Sequence, residues 1–142
     1  MHRAESILQA VETTLTGLAT TGSNVSRGRM YALTTVPALV IEKGADGAVE
    51  ERNAAFQDRE LSVQITAVVE AAEDLESALN TVAAEVYAAM MADTTLGLGY
   101  VLNTTFVNDS APIIETGGEL PLAFMAIDFS VMYRHSYASA ES

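Results

Sequence analysis

Residues 122–136 alternate with a period of two. Met125, Ile127, Phe129, Val131 and Tyr133 share one parity. Ala126, Asp128, Ser130, Arg134 and Ser136 share the other, with Met132 as the exception. A period of two predicts a strand with one face buried and one face in water. It is long against the usual five or six residues, roughly, and it lies close to the end of the chain. A second alternating segment covers residues 59–70. Leu61, Val63, Ile65, Ala67 and Val69 face one way, and Ser62, Gln64, Thr66 and Glu70 the other, with Val68 out of pattern.

Two segments carry the helical period. Ile7, Leu8, Val11, Leu15 and Leu18 form a stripe that predicts a helix over residues 4–20, ended by the Thr-Thr-Gly-Ser-Asn run at 20–24. Leu75, Leu79, Val82, Val86 and Met90 predict a second helix over 75–92, with Asp74 as its N-cap and Glu76 in its first turn. Its alanine content favours the same state. Residues 25–33 alternate loosely and read as an extended segment or short edge strand. The β-branched run 38–43 reads as a strand, Gly44 to Gly47 as a turn, and residues 44–58 as a charged hairpin loop. Residues 100–107 read as a further strand, 108–119 as a long loop, and 137–142 as a frayed tail.

Helices and hairpin-linked strands in this order predict one α+β domain over 1–142. It has a mainly antiparallel sheet of about four strands with two helices packed on one face. A composition of 49% hydrophobic and 18% charged residues suffices for a core. No apolar run approaches a membrane-spanning length of about 20 residues, and the N-terminus lacks the pattern of a signal peptide. The absence of cysteine excludes disulfides and thiolate chemistry. The cytoplasm is therefore the expected compartment, and the Asn-x-Ser/Thr triplets at Asn24, Asn103 and Asn108 are read as chance matches.

Charge changes the picture more. The net charge is −12, and it is unevenly spread. Residues 61–142 carry eleven acids and Arg134 as their one base. Such a chain does not bind nucleic acid by neutralising phosphates. The excess is read either as solubility or as a surface that passes close to DNA without holding it.

The search for chemistry returns little. Only His2 and His135 are available as imidazoles, in no zinc-ligand spacing. Phosphate loops, the dinucleotide fingerprint and the nucleophile elbow are absent. Glu70, Glu73, Asp74 and Glu76 gather before and within the first turn of the second helix. The helix dipole explains acids there without a metal. Glu50-Glu51 with Asp58 and Glu60 makes a poor glycosidase pair in a chain without tryptophan. The expectation is a protein with no catalytic residues, no metal and no cofactor.

The run Gly-Arg-Met-Tyr-Ala-Leu-Thr-Thr-Val-Pro-Ala-Leu-Val-Ile-Glu at 28–42 resembles a segment of tailed-phage tail terminator and minor tail proteins. The charged hairpin, the strand 60–69, the helix 74–91 and the closing strand 120–134 follow in matching order. The resemblance covers nearly the whole chain in element order, and its motifs are strand patterns without catalytic residues. It implies a non-enzymatic virion protein of the tail–neck region, found in the host cytoplasm during assembly. Subunits would form a hexameric ring that caps the tail tube, ends its polymerisation and joins tail to head. Its partners would be copies of itself, tube proteins and head-connector proteins. DNA would pass through the lumen without specific binding.

A ring needs two different patches per subunit. The candidates are Arg27, Arg29 and Tyr31 against Glu70, Glu73 or Glu76 of the neighbour, with a solvated edge strand as the plain alternative for the arginines. Glu50, Glu51, Arg52, Asp109, Glu115 and Glu119 are candidate contacts for tube or connector proteins. Two other functions fit the same inventory. One is a head-completion or head–tail joining neck protein. The other, of a different class, is an acidic inhibitor or immunity-type protein that covers a basic enzyme.

Overall fold

The computed structural model describes residues 3–22, 25–27, 37–51, 56–70, 75–115 and 122–136. Among them the elements are α1 (Arg3–Leu15), β1 (Val25–Arg27), β2 (Ala38–Glu51), β3 (Phe56–Glu70), α2 (Leu75–Ala92), β4 (Val101–Asp109), β5 (Ile113–Glu115) and β6 (Leu122–Ser136).

The two alternating segments pair with each other. β3 and β6 run antiparallel in unbroken register from Phe56 opposite Ser136 to Glu70 opposite Leu122. Strands of this length span roughly 50 Å. Because the register is even, apolar parity meets apolar parity: Leu61 faces Val131, Val63 faces Phe129, Ile65 faces Ile127 and Ala67 faces Met125. A slip of one residue would turn every one of these side chains to the wrong face. β2 adds antiparallel to β3, and β4 adds antiparallel to β6, giving the order β1-β2-β3-β6-β4. β5 continues the β4 side of β6.

Both helices share one core with one face of the sheet. Ile7, Leu8, Val11 and Leu15 of α1 and Leu79, Val82, Val86 and Met90 of α2 are buried in the same cluster as Leu39, Ile41 and the inward residues of β3 and β6. The expected α+β class and the helical layer on one face therefore hold. The expectation of about four antiparallel strands does not. The sheet has six strands and is mixed, because β1 runs parallel to β2.

Three further differences have local causes. α1 ends at Leu15 and not near residue 20, because Gly17 turns to φ 96 and its N–H donates to the Gly22 carbonyl at 2.8 Å. That is the left-handed geometry in which helices commonly stop. The expected turn and loop at 44–58 is largely strand. β2 continues to Glu51 through two bulges, one between Lys43 and Asp46 and one between Ala48 and Glu50. Gly44 serves close approach and not a turn: a Cβ there would lie 2.9 Å from Ser62 Cβ. The expected loop at 108–119 holds the end of β4 and all of β5. Residues 137–142, read as a frayed tail, lie outside the described residues.

The exposed face of the sheet is not uniformly wet. Ala38, Val40, Thr66 and Val68 are buried there, and the register places Ala38 beside Val68 and Val40 beside Thr66. Val68, out of pattern in the sequence, belongs to this second patch.

Replacing Gly44 with alanine tests the close approach. The added methyl must push β2 from β3 where backbone and Ser62 Cβ leave no slack. The expected loss is about 1–3 kcal/mol of unfolding free energy, read as a lower urea midpoint with unchanged slope.

Candidate functional site

Polar side chains in the fold mostly close on one another. Arg27 donates from both terminal nitrogens to the two carboxylate oxygens of Glu5, at 2.7 and 2.9 Å. The guanidinium holds the Glu5 carboxyl below the usual glutamate range. This pair fastens β1 to α1. Arg134 Nε donates to buried Asp58 at 3.2 Å across the β3–β6 register. The N–H and hydroxyl of Thr20 both donate to Glu85, tying the loop after α1 to α2. Arg3 donates to the Arg134 carbonyl at 2.6 Å and lies over the Tyr100 ring at 4.4 Å, a cation–π distance.

Among the described residues Tyr133 is the largest fully buried side chain, and its hydroxyl reaches Asp46 at 2.9 and 3.0 Å. Arg59 stands 3.9 Å from the same carboxylate. Burial pushes the phenol up to about 12; the Arg59 guanidinium opposes the rise and the Asp46 carboxylate adds to it. The cluster locks the far end of β6 onto β2 across β3. A phenol held neutral to that degree is not an activated base.

Among the described residues no group of three or more His, Asp or Glu side chains is placed to hold a metal ion. Glu42, Gln64 and Asp128 form a row across β2, β3 and β6, and Gln64 donates to Asp128 at 3.3 Å. No nucleophile and base converge in these contacts.

The sheet edge offers a different kind of surface. Among the described residues the exposed large hydrophobics are Tyr87, Leu102, Phe106, Val107, Ile113 and Ile114, all on α2, β4 and β5. Leu102 and Val107 are the extra residues of the two bulges in β4, where the register skips between Val101 and Asn103 and between Phe106 and Asn108. Phe106 stands edge-to-face between Phe129 of the core, at 5.9 Å, and Tyr87 of α2, at 5.7 Å. Ser110 continues the edge past β4, donating its N–H to the Ala126 carbonyl and accepting from the Ala126 N–H. The result is an edge from Leu102 to Ile114 with exposed apolar groups on both faces of the sheet, Phe106 opposite Phe129 on the helix side and Ile113 opposite Phe124 on the other.

The described residues singled out in the sequence lie on several elements. Arg27 is occupied by Glu5 of its own chain. Glu70 ends β3 and Glu76 opens α2, both exposed. Glu50 and Glu51 lie in β2, Asp109 ends β4 and Glu115 ends β5. Arg29, Tyr31, Arg52, Glu73 and Glu119 lie outside the described residues, as does Asp74. Asp109 and Glu115 flank the apolar edge. The edge itself was missed, because Leu102 and Val107 break the alternation of β4 and carry no charge to draw notice.

Two substitutions test the interior polar groups. Tyr133→Phe should lower stability at neutral pH by about 1.5–3 kcal/mol, the usual worth of a hydrogen bond to a charged group. The folded chain holds the phenolic proton more tightly than the unfolded chain. The stabilisation is therefore complete below pH 10 and lost as pH rises toward about 12; the variant should lose that alkaline slope in pH-dependent unfolding. Thr104 Oγ1 is buried without a hydrogen-bond partner. Thr104→Val should raise the unfolding free energy by about 1 kcal/mol, seen as a higher urea midpoint.

In comparison with known proteins, no protein-family model matches the chain and no curated protein matches it.

Proposed function

We propose that this chain is a structural subunit of a tailed-phage neck, of the tail-terminator kind. Copies assemble into a hexameric ring that caps the tail tube, stops its growth and connects it to the head. The protein has no enzymatic activity and needs no cofactor. The observation that carries the reading is the apolar edge on α2, β4 and β5. A free sheet edge with exposed large hydrophobics is an association surface, and a lone soluble domain rarely keeps one. The element order supports the same reading, since the helix, charged hairpin, alternating strand, helix and closing strand follow the sequence of the resembling family. The acidic excess suits a ring through which DNA moves without adhering.

Native mass spectrometry over a wide concentration range tests this. The expected species is a discrete assembly of six copies of the 15.0 kDa chain. A monomer at every concentration that binds one basic protein tightly, with strong salt dependence, would transfer the reading to the acidic-inhibitor class. Arg29→Glu should abolish the hexamer if that arginine pairs with a neighbour's acid; an unchanged ring would retire that pairing.

A further inference from the structure

We infer that successive copies of this chain join edge to edge, β1 of one copy adding to the free edge of β4 of the next. The apolar side chains of that contact flank the edge on both faces: Tyr87 with Phe106 on the helix side, and Val107 and Ile113 on the other. The inference rests on the ring reading and names the surface through which the ring closes.

Topology supplies the first argument. Among the described residues the path of the sheet ends at β1 on one side and β4 on the other. These are two different patches on opposite sides of one subunit, which is what a head-to-tail contact requires. Strand direction supplies the second. β2, β3, β6 and β4 alternate in direction, and β1 runs parallel to β2. A copy that continues the sheet past β4 therefore presents its β1 antiparallel to β4, the slightly more stable pairing. Continuation also keeps the helices of all copies on one side. α1 is fastened to β1 through Glu5 and Arg27, and α2 stands over β4 through Tyr87 and Phe106. The α1 layer of one copy then adjoins the α2 layer of its neighbour.

Charge supplies the third. Residues 13–41 contain no acid and two arginines, and β1 lies within them. Residues 60–133 contain no base, and β4 and β5 lie within them, with Asp109 and Glu115 on the edge. With Arg27 paired to Glu5, β1 opposes no like charge to the acids beside β4. A β4–β4 contact would instead bring together two surfaces that carry acids only. The edge also lacks the lysines that commonly keep a foreign strand away. Its bulges, which elsewhere blunt an edge, here hold Leu102 and Val107 outward, exposed at 40% and 59%.

A photo-crosslinking amino acid, p-benzoylphenylalanine, placed at Val107 of the full chain tests the contact. Position 107 is exposed, so the fold should tolerate it; an unchanged melting temperature checks this. Irradiation should give an adduct of twice the chain mass on a denaturing gel. Trypsin should release position 107 joined to the peptide of residues 4–27, with the link at β1. Val107→Asp should convert the hexamer to monomer. A hexamer whose position-107 link lies within residues 60–134 of the neighbour, or that forms no link, overturns the edge contact and leaves the ring reading standing. A hexamer that survives Val107→Asp does the same. A wild-type chain that stays monomeric at every concentration overturns both.

Discussion

The continuous pairing of β3 with β6 is the constraint on which the other elements depend. Fifteen residues of each strand sit in one register without a bulge. Their inward parity supplies Leu61, Val63, Ile65, Ala67, Met125, Ile127, Phe129, Val131 and Tyr133 to one face. Each such side chain buried is worth about 1.5–3 kcal/mol for the larger aliphatics and aromatics. A shift of one residue would expose them all, so the register is fixed by the whole face and not by any one pair. β3 and β6 are far apart in sequence, with α2, β4 and β5 between them. Closing this pair therefore brings the C-terminal part of the chain into the centre of the sheet.

Everything outside that pair adapts to it. β2 follows β3 only by inserting two bulges, and Gly44 lets the backbone come against Ser62. β4 follows β6 with two bulges of its own. A bulge places an extra residue outside the ladder and turns its side chain away from the regular alternation. In β4 that residue is hydrophobic both times. The interior polar contacts act as fasteners between elements already placed by the core: Glu5 with Arg27, Thr20 with Glu85, Tyr133 with Asp46. Only the first of these takes up a base, while the β4 edge lies in a stretch, residues 60–133, that carries acids and no base.

How much of this was legible depended on periodicity. The helix α2 was readable to its ends at Leu75 and Ala92, because its apolar stripe, alanine content and acidic first turn agree. β6 and most of β3 were readable because both alternate over most of their length, with Met132 and Val68 as exceptions. The β2 hairpin arm was not, since glycines at 44 and 47 mark a turn and a bulge equally well. The edge strand β5 hid in a polar stretch with Pro112, and only hydrogen bonding to β6 reveals it. The assembly residues proposed from sequence were chosen by charge. Arg27 carries the right charge but spends it on Glu5, a pairing between residues 22 apart that no local pattern announces.

The sequence by itself determined the class, the two helices, the two long strands and which face of each is buried. Those properties follow from side-chain spacing within one element, where 3.6 and 2 are the only periods available. Tertiary structure alone decided the strand order, the parallel placement of β1, the use of Arg27 and the placing of Tyr87, Phe106, Val107 and Ile113 along one edge. These depend on contacts between segments distant in the chain, and such contacts are chosen by the packing of the whole core.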